Sequence, residues 1–465
     1  MNQSTRERAQ PSPLIHHATQ TLRLGLPLVA AQLAQMAMGV TDTIYLGRLG
    51  PEALAAGGLG NSLHLTVLIT LQGVAGAVSV FIAQARGAGR PADVPGLFWS
   101  AAAIALALSV PAFALLSVAE PLLLAAGEPP PLAHDASRFL DTVRWGVPGE
   151  MLGFGLMRAV LPAIGAGWLI LPITLAATVC NAIVGYALAF GHGGLPAIGL
   201  RGPAVATALV GTLAATALLA VAFTPSRRRW VRWARPRLGP ARAIVRVGLP
   251  IGATLAVEAG LFVAVALLIG RLGPVELAAQ QVSISVISVA FMAPLGLAQA
   301  ANIRVGHRVG AADREGARAA GLIAIGLGAV AECLCALANW WAPERLARLY
   351  LEPGTAADTV GAVALTVSLL RIAAVFQVAD GVQCVAAGAL RGIGDTRVPF
   401  LLAALGYWGI GFPAAWGLTV VAGLGAVGAW WGLAAGLSVT ATLLTMRFAR
   451  RTARGRVVDR VAASG

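Results

Sequence analysis

Lysine is absent from the 465-residue sequence, so all 34 basic residues are arginine. Charge of either sign is scarce, because only 12% of the residues are charged whereas 57% are hydrophobic. A soluble core of this length does not need so much apolar surface, and long charge-free runs are typical of membrane proteins. The bias towards arginine, alanine and glycine indicates a GC-rich bacterial genome.

Cysteine is also rare, and its placement excludes two common frameworks. The four cysteines lie in apolar stretches and none forms a CxxC pair. They are Cys180, Cys333, Cys335 and Cys384. We interpret them as small packing residues, which argues against a disulfide framework or a metal site built on thiolates.

Catalytic motifs are missing as well. The sequence has no Walker loop, no HExxH motif and no Ser/His/Asp constellation, which argues against an enzyme. Residues 423–428 match GxGxxG, but no strand precedes them and no acidic partner follows. We interpret these glycines, with Gly432 and Gly436, as sites of close helix packing.

Twelve apolar runs are long enough to cross a bilayer, since a spanning helix needs about 20 apolar residues. They predict an all-α integral membrane protein with twelve transmembrane helices. The predicted spans lie near residues 24–46, 53–83, 98–119, 139–160, 169–190, 204–223, 244–269, 277–303, 319–341, 360–390, 399–421 and 425–448.

Arginines concentrate in alternate connections between these runs, and the positive-inside rule places those connections in the cytoplasm. Both termini belong to the arginine-rich set, which agrees with an even number of spans. No removable signal peptide is expected, and the first apolar run should itself start insertion. The interleaved Arg and Trp residues of 227–237 favour an interfacial segment on anionic lipid over a nucleic-acid surface.

The chain repeats itself at an offset of 223 residues. The sequence Gly-Arg-Leu-Gly-Pro at 47–51 returns at 270–274, and the ends of the two halves correspond at 226 to 227 residues. Six spans per half preserve orientation, so we expect parallel repeats related by an axis along the membrane normal. The predicted parts are a cytoplasmic N-terminal segment (1–21), an N-lobe (22–223), a basic cytoplasmic linker (224–243), a C-lobe (244–448) and a cytoplasmic tail (449–465).

Five acidic residues fall inside predicted spans, where burial of a charge is costly and usually functional. They are Asp42, Glu150, Glu258, Glu332 and Asp380. The repeat counterparts of Asp42, Glu258 and Asp380 are Val265, Gln35 and Gly153, so each carboxylate belongs to one copy only. We therefore favour direct roles for these three.

Each acidic residue also has a structural alternative. Asp42 lies near enough to the interface for water to reach it, and Arg371 would offset part of the Asp380 charge. Glu150 would pair with Arg144 or Arg158. Glu332 is expected to be structural.

A buried carboxylate binds a proton more tightly than an exposed one, and it can alternate between a proton or Na⁺ and a cationic ligand. Because both are positive and need the same site, their competition is sufficient for antiport when the two states face opposite sides. The predicted cation-coupling residues are Glu258, Asp380 and Asp42, and the first two are the Na⁺ candidates.

Several segments resemble the multidrug and toxic compound extrusion (MATE) transporters. They are residues 84–90 after the second span, residues 379–399, and residues 407–413. The resemblance covers nearly the whole chain, and Asp42, Glu258 and Asp380 match the acidic positions of the NorM-like branch.

The resemblance implies a V-shaped, two-lobed bundle that exports small organic cations, driven by Na⁺ or H⁺. It implies a monomer in the bacterial inner membrane, with no cofactor and no nucleic-acid partner. Other branches place an Asn and, four residues later, an Asp in the N-lobe site; here Asn181 is followed by Gly185. The weight therefore shifts to Glu258 and Asp380, with Asn181, Thr207 and Glu150 as candidate supports.

Three alternatives remain open at the level of sequence. A lipid-linked precursor flippase of the same superfamily would favour a cationic cavity and extra spans. An integral-membrane enzyme would need a polar catalytic cluster at one interface. A non-transporting receptor would leave the buried carboxylates unexplained.

Overall fold

The structure, a computed structural model, describes residues 13–351 and 357–453. Most of the predicted N-terminal segment and cytoplasmic tail therefore lies outside the described residues. Within the described ranges all regular structure is helical, which confirms the all-α prediction.

Eleven helices of the described chain are long and apolar enough to cross a membrane. We number them by their position among the twelve predicted spans. They are helix 1 (Pro13–Leu49), helix 2 (Pro51–Gly87), helix 3 (Pro91–Ser117), helix 5 (Gly167–Phe190), helix 6 (Arg201–Ala222), helix 7 (Leu238–Gly270), helix 8 (Pro274–Gly310), helix 9 (Arg314–Trp341), helix 10 (Ala357–Gly392), helix 11 (Arg397–Val421) and helix 12 (Gly425–Ala453).

The twelfth segment, helix 4, is helical from residue 130 to residue 163, but its geometry changes along its length. A 3₁₀ turn lies at Arg144–Gly146, Pro148 removes one backbone hydrogen bond, and a π-helical stretch follows at Met151–Met157. Gly146, Gly149 and Gly153 allow helix 6 to approach closely. The prediction of twelve segments is consistent with this structure.

Helices 1–6 and 7–12 form two lobes, which meet mainly where helix 1 packs on helix 8 and helix 7 packs on helix 2. The interface repeats itself, because Gly25 packs against Leu297 and its counterpart Gly248 packs against Val74. Asn302 Nδ2 donates a hydrogen bond to Ser79 Oγ at 2.9 Å. These two residues are 223 positions apart, so their contact lies at the internal twofold axis.

The lobes join at the arginine-rich ends of helices 2 and 8. Gly87 packs directly against the carbonyl group of His307, and Gly310 packs in the same way against that of Gln84. The Gln84 side chain also donates to the carbonyl oxygen of Gly392 at 2.9 Å. A side chain at either glycine would force these backbones apart.

Of the GxGxxG glycines, only Gly428 serves the close packing expected from the sequence, whereas Gly423 and Gly425 adopt a positive φ before and at the start of helix 12. Gly428 packs against the backbone of Leu418, and Gly432 packs against Ala415. Gly436 continues the stripe against Gly411. The four cysteines carry free thiols.

Candidate functional site

Two acidic side chains of the C-lobe come together around one amide. Gln383 Nε2, on helix 10, donates to Asp380 Oδ1 at 3.0 Å and to Glu258 Oε1 of helix 7 at 3.3 Å. A neutral amide group therefore bridges two carboxylates that are far apart in sequence.

Helix 11 fixes the orientation of this amide. The Tyr407 hydroxyl is fully buried and donates to Gln383 Oε1 at 2.6 Å. Because the amide oxygen is already occupied, the NH₂ group must face the two carboxylates. The next residue, Trp408, donates from Nε1 to the carbonyl oxygen of Val257 at 3.0 Å, which ties helix 11 to helix 7 beside Glu258.

The charges of this cluster are not neutralised by a fixed partner. Glu258 and Asp380 are half-buried, and neither forms an ion pair among the described residues. Arg391 interacts with Glu258 only at longer range. Arg371, the residue expected to offset Asp380, is exposed. A cation bound between two ionised carboxylates in this position would offset their repulsion and the cost of their burial.

The N-lobe holds a second, smaller cluster. Thr207 Oγ1 donates to Asp42 Oδ2 at 2.8 Å, and Asn181 Nδ2 donates to Thr207 Oγ1 at 3.2 Å. Asp42 Oδ1 and Asn181 Oδ1 are both buried without a hydrogen-bond partner in the described chain. Gly185 lies near the Tyr45 ring and adds no carboxylate.

The N-lobe counterpart of Glu258 has a fixed cation of its own. Gln35 accepts a hydrogen bond from the Arg158 guanidinium group, which also donates to Gln32. Gln299 of helix 8 donates to the Arg158 carbonyl oxygen at 2.5 Å. The two lobes thus differ at this repeat position. In the N-lobe the Arg158 guanidinium group binds Gln35, whereas in the C-lobe Glu258 carries a carboxylate that a mobile cation could bind.

The other two span carboxylates lie apart from these clusters. Glu150 Oε2 is 3.2 Å from His64 Nε2, whereas Arg144 pairs with Asp141 at 2.6 Å. The alternative that Glu150 pairs with Arg144 or Arg158 was therefore wrong, since buried His64 is its partner. Glu332 is 1% exposed, and neither of its carboxylate oxygens has a hydrogen-bond partner among the described residues.

The sequence model of the MatE family matches residues 27–187 and 250–416. The two matches start 223 residues apart, which is the offset of the internal repeat. The chain belongs to the MATE family. Its curated relatives place it in the NorM-like branch, as the sequence motifs indicated.

Two such relatives come from Burkholderia. The probable multidrug resistance protein NorM of Burkholderia mallei is 49% identical over 451 residues, covering 97% of this chain and 96% of the relative. The multidrug resistance protein NorM of Burkholderia vietnamiensis is 47% identical and covers 96% of this chain and 97% of the relative.

Solved MATE structures have the same fold at low sequence identity. The eukaryotic MATE transporter AtDTX14 superposes with a TM-score of 0.85 at 20% identity, covering 96% of this chain and 99% of that chain. The bent form of the Vibrio cholerae MATE transporter VcmN has a TM-score of 0.83 at 18% identity, with the same coverage. These likenesses establish the two-lobed MATE bundle.

Two residues of the C-lobe cluster in this MATE chain were not assigned a role from sequence. Gln383 is neutral, so it gives no signal of a buried charge. The repeat does carry a signal, because the N-lobe counterpart of Gln383 is the apolar Leu156. Tyr407 belongs to a recognised motif, but only the structure shows that its hydroxyl orients Gln383.

The donor set at Glu258 and Asp380 suits a hard monovalent cation. Carboxylate oxygens are the ligands that such ions prefer, and the bridging amide holds two carboxylates close together. No group of three or more His, Cys, Asp or Glu side chains in the described chain forms a multidentate metal centre.

Proposed function

We propose that this protein is a multidrug efflux antiporter, which exports small organic cations in exchange for Na⁺ or H⁺ by alternating access. The carrying observation is that the Gln383 amide bridges Glu258 and Asp380, neither of which forms an ion pair among the described residues. The names of the NorM relatives support multidrug substrates.

The cluster drives exchange because it holds positive charge from either source. With both carboxylates ionised, the site carries a net negative charge that burial strongly disfavours. Na⁺, a proton or an organic cation relieves that charge. Each excludes the others when their positions overlap, so entry of the coupling ion promotes release of the drug.

The N-lobe cluster serves as a second coupling site in this proposal. Asp42 has one carboxylate oxygen held by Thr207 and one buried oxygen without a partner. Asn181 supports the pair through Thr207 and presents a free amide oxygen of its own. Glu150 has a supporting role at most, because His64 binds it.

The lobes supply the two alternating states. In the structure they are joined near Gly87 and Gly310, at the ends that carry the arginine-rich loops. With those loops and both termini in the cytoplasm of a bacterial inner membrane, this arrangement is closed to the inside. The inward-facing state requires these contacts to separate. Because one chain contains both lobes and both clusters, a monomer is sufficient for the proposed transport.

The test uses vesicles that contain the purified protein and are loaded with a fluorescent organic cation. A sodium pulse at fixed pH and an acid pulse at fixed sodium are applied outside. We expect at least one pulse to accelerate efflux. Glu258→Gln, which keeps the shape and removes the charge, should abolish the acceleration while membrane insertion survives.

The matched control is Glu344→Gln, because Glu344 is an exposed acid outside the spans. It should export like the unchanged protein. The proposal fails if neither pulse accelerates efflux. It also fails if the Glu258 variant retains full ion-driven export.

A further inference from the structure

A groove of about 410 Å³ lies between helices 11 and 12, at the arginine-rich end of the C-lobe. It is separate from the Glu258 cluster. Its walls are apolar along most of their length and basic at one end. The lining residues are Val398, Leu402, Leu443, Met446, Arg447, Arg450 and Arg451.

Helical spacing divides the groove into two chemical zones. Met446 and Arg447 lie three and four residues after Leu443, and Arg450 lies four and three residues after them, so the four share one face of helix 12. The face begins apolar and ends with guanidinium groups. On the opposite wall, Val398 and Leu402 are four residues apart on helix 11 and continue the apolar zone.

The basic end carries excess positive charge. Asp395 Oδ2 forms an ion pair with Arg447 Nη2 at 2.7 Å and lies 3.3 Å from Arg451 Nε. Asp395 is itself only 8% exposed, so it holds these two arginines in place. Arg450 is exposed and has no ion pair among the described residues. This end of the groove thus carries three guanidinium groups, of which the Asp395 carboxylate pairs with two.

The depth of the arginines matches the headgroup layer. Arg447 lies 22 residues after Gly425, the first residue of helix 12, which is about 33 Å along an α-helix. The hydrocarbon core of a bilayer is roughly 30 Å thick. The apolar zone therefore lies at the level of the acyl chains, and Met446 is 47% exposed there.

We propose that this groove binds one anionic phospholipid. The phosphate lies on Arg450 and Arg447, while an acyl chain lies along Leu443, Met446, Val398 and Leu402. Excess positive charge selects an anionic lipid over a zwitterionic one. The apolar walls select a lipid over a free phosphate, which would gain nothing from them.

The experiment is native mass spectrometry of the delipidated full-length protein. It is titrated with phosphatidylglycerol, with phosphatidylcholine of the same acyl chains, and with the water-soluble headgroup glycerol phosphate. We expect one tight phosphatidylglycerol site. Arg450→Gln should weaken that site about fivefold, because each basic residue near a membrane surface contributes roughly this factor.

Arg235→Gln is the matched control, since Arg235 is an exposed arginine of the basic linker. It should leave the tight site unchanged. Leu443→Gln should weaken lipid binding without adding affinity for glycerol phosphate. Equal affinity for the two lipids overturns the proposal, as does equal weakening by the Arg450 and Arg235 variants. Glycerol phosphate binding as tightly as the lipid overturns it too. Each variant is first checked for a monodisperse elution profile.

Discussion

At the scale of single residues, the two lobes use the same position in opposite ways. Gln35 and Glu258 are counterparts in the repeat, yet Gln35 is bound by the Arg158 guanidinium group and Glu258 faces a second carboxylate. A tethered cation cannot exchange, whereas a mobile one can. The repeat thus explains why we assign ion exchange to the C-lobe cluster.

Tyr407 tests whether the orientation of Gln383 matters. Tyr407→Phe removes the hydroxyl that donates to Gln383 Oε1, so the amide can rotate and turn its oxygen towards the carboxylates. One such hydrogen bond is worth about 1 kcal/mol, so we expect a roughly fivefold weaker apparent affinity for the coupling ion. The measurement is the ion dependence of cation efflux from vesicles.

Tyr186→Phe is the control for this prediction, because Tyr186 is partly exposed and lies in the N-lobe. The orienting role is contradicted if both tyrosine variants lose affinity equally. It is also contradicted if the Tyr407 variant keeps the affinity of the unchanged protein.

The sequence identified charged residues of the candidate site but not its neutral residues. Asp42, Glu258 and Asp380 were found because a carboxylate in a span is costly and each lacks an acidic counterpart in the other half. Gln383 and His64 carry no fixed charge, so composition did not mark them. The partner of Glu150 was mistaken because arginines lie near it in sequence, whereas His64 reaches it only through the fold.

At the scale of helices, glycine decides where two backbones meet. Gly146, Gly149 and Gly153 place helix 4 against helix 6 within the N-lobe, and Gly87 and Gly310 place helix 2 against helix 8 between lobes. In the proposed cycle the contact of helix 4 with helix 6 is kept, whereas the contact of helix 2 with helix 8 must break and form again.

A methyl group at the inter-lobe glycines should therefore shift the conformational equilibrium. Gly87→Ala and Gly310→Ala each place a Cβ atom against a backbone carbonyl group. Overpacking of this kind costs about 1–3 kcal/mol, so we expect roughly five- to hundredfold less of the state closed at this end. The measurement is the distance between spin labels on the loops after helices 2 and 8, in a cysteine-free background.

Gly96→Ala and Gly326→Ala serve as controls, because a Cβ atom at either position has open space around it. These variants should keep the distance distribution of the unchanged protein. The proposed closure is contradicted if Gly87→Ala and Gly310→Ala also leave that distribution unaltered.

The positions of the helices followed from the sequence more readily than their internal geometry. Long apolar runs and alternating arginines were sufficient to locate twelve segments, because the bilayer imposes a length and a charge asymmetry. The 3₁₀ and π stretches of helix 4 were not predicted. They lie where helix 6 approaches the glycines of helix 4, and a linear pattern does not contain that contact.

At the scale of the whole molecule, the interface between the two lobes is pseudo-symmetric, because the lobes are repeats of each other. The Gly25–Leu297 and Gly248–Val74 contacts are copies of each other, and Ser79 meets Asn302 at the axis. In the proposed cycle, the lobes rock about this symmetric interface while each keeps its own core. One-for-one exchange of monovalent cations draws nothing from the membrane potential. Two ions entering for one monocation would gain about 2.3 kcal/mol per 100 mV.

The proposed mechanism depends on mutually exclusive binding of the organic cation and the coupling ion at Glu258 and Asp380. The most direct measurement is equilibrium binding of a fluorescent organic cation to the purified protein, titrated with sodium at fixed pH and with acid at fixed sodium. We expect one of these ions to raise the apparent dissociation constant in proportion to its concentration, with no loss of binding capacity, and Glu258→Gln to remove this dependence. Simultaneous binding of the organic cation and both ions, with unchanged affinity, would contradict the account.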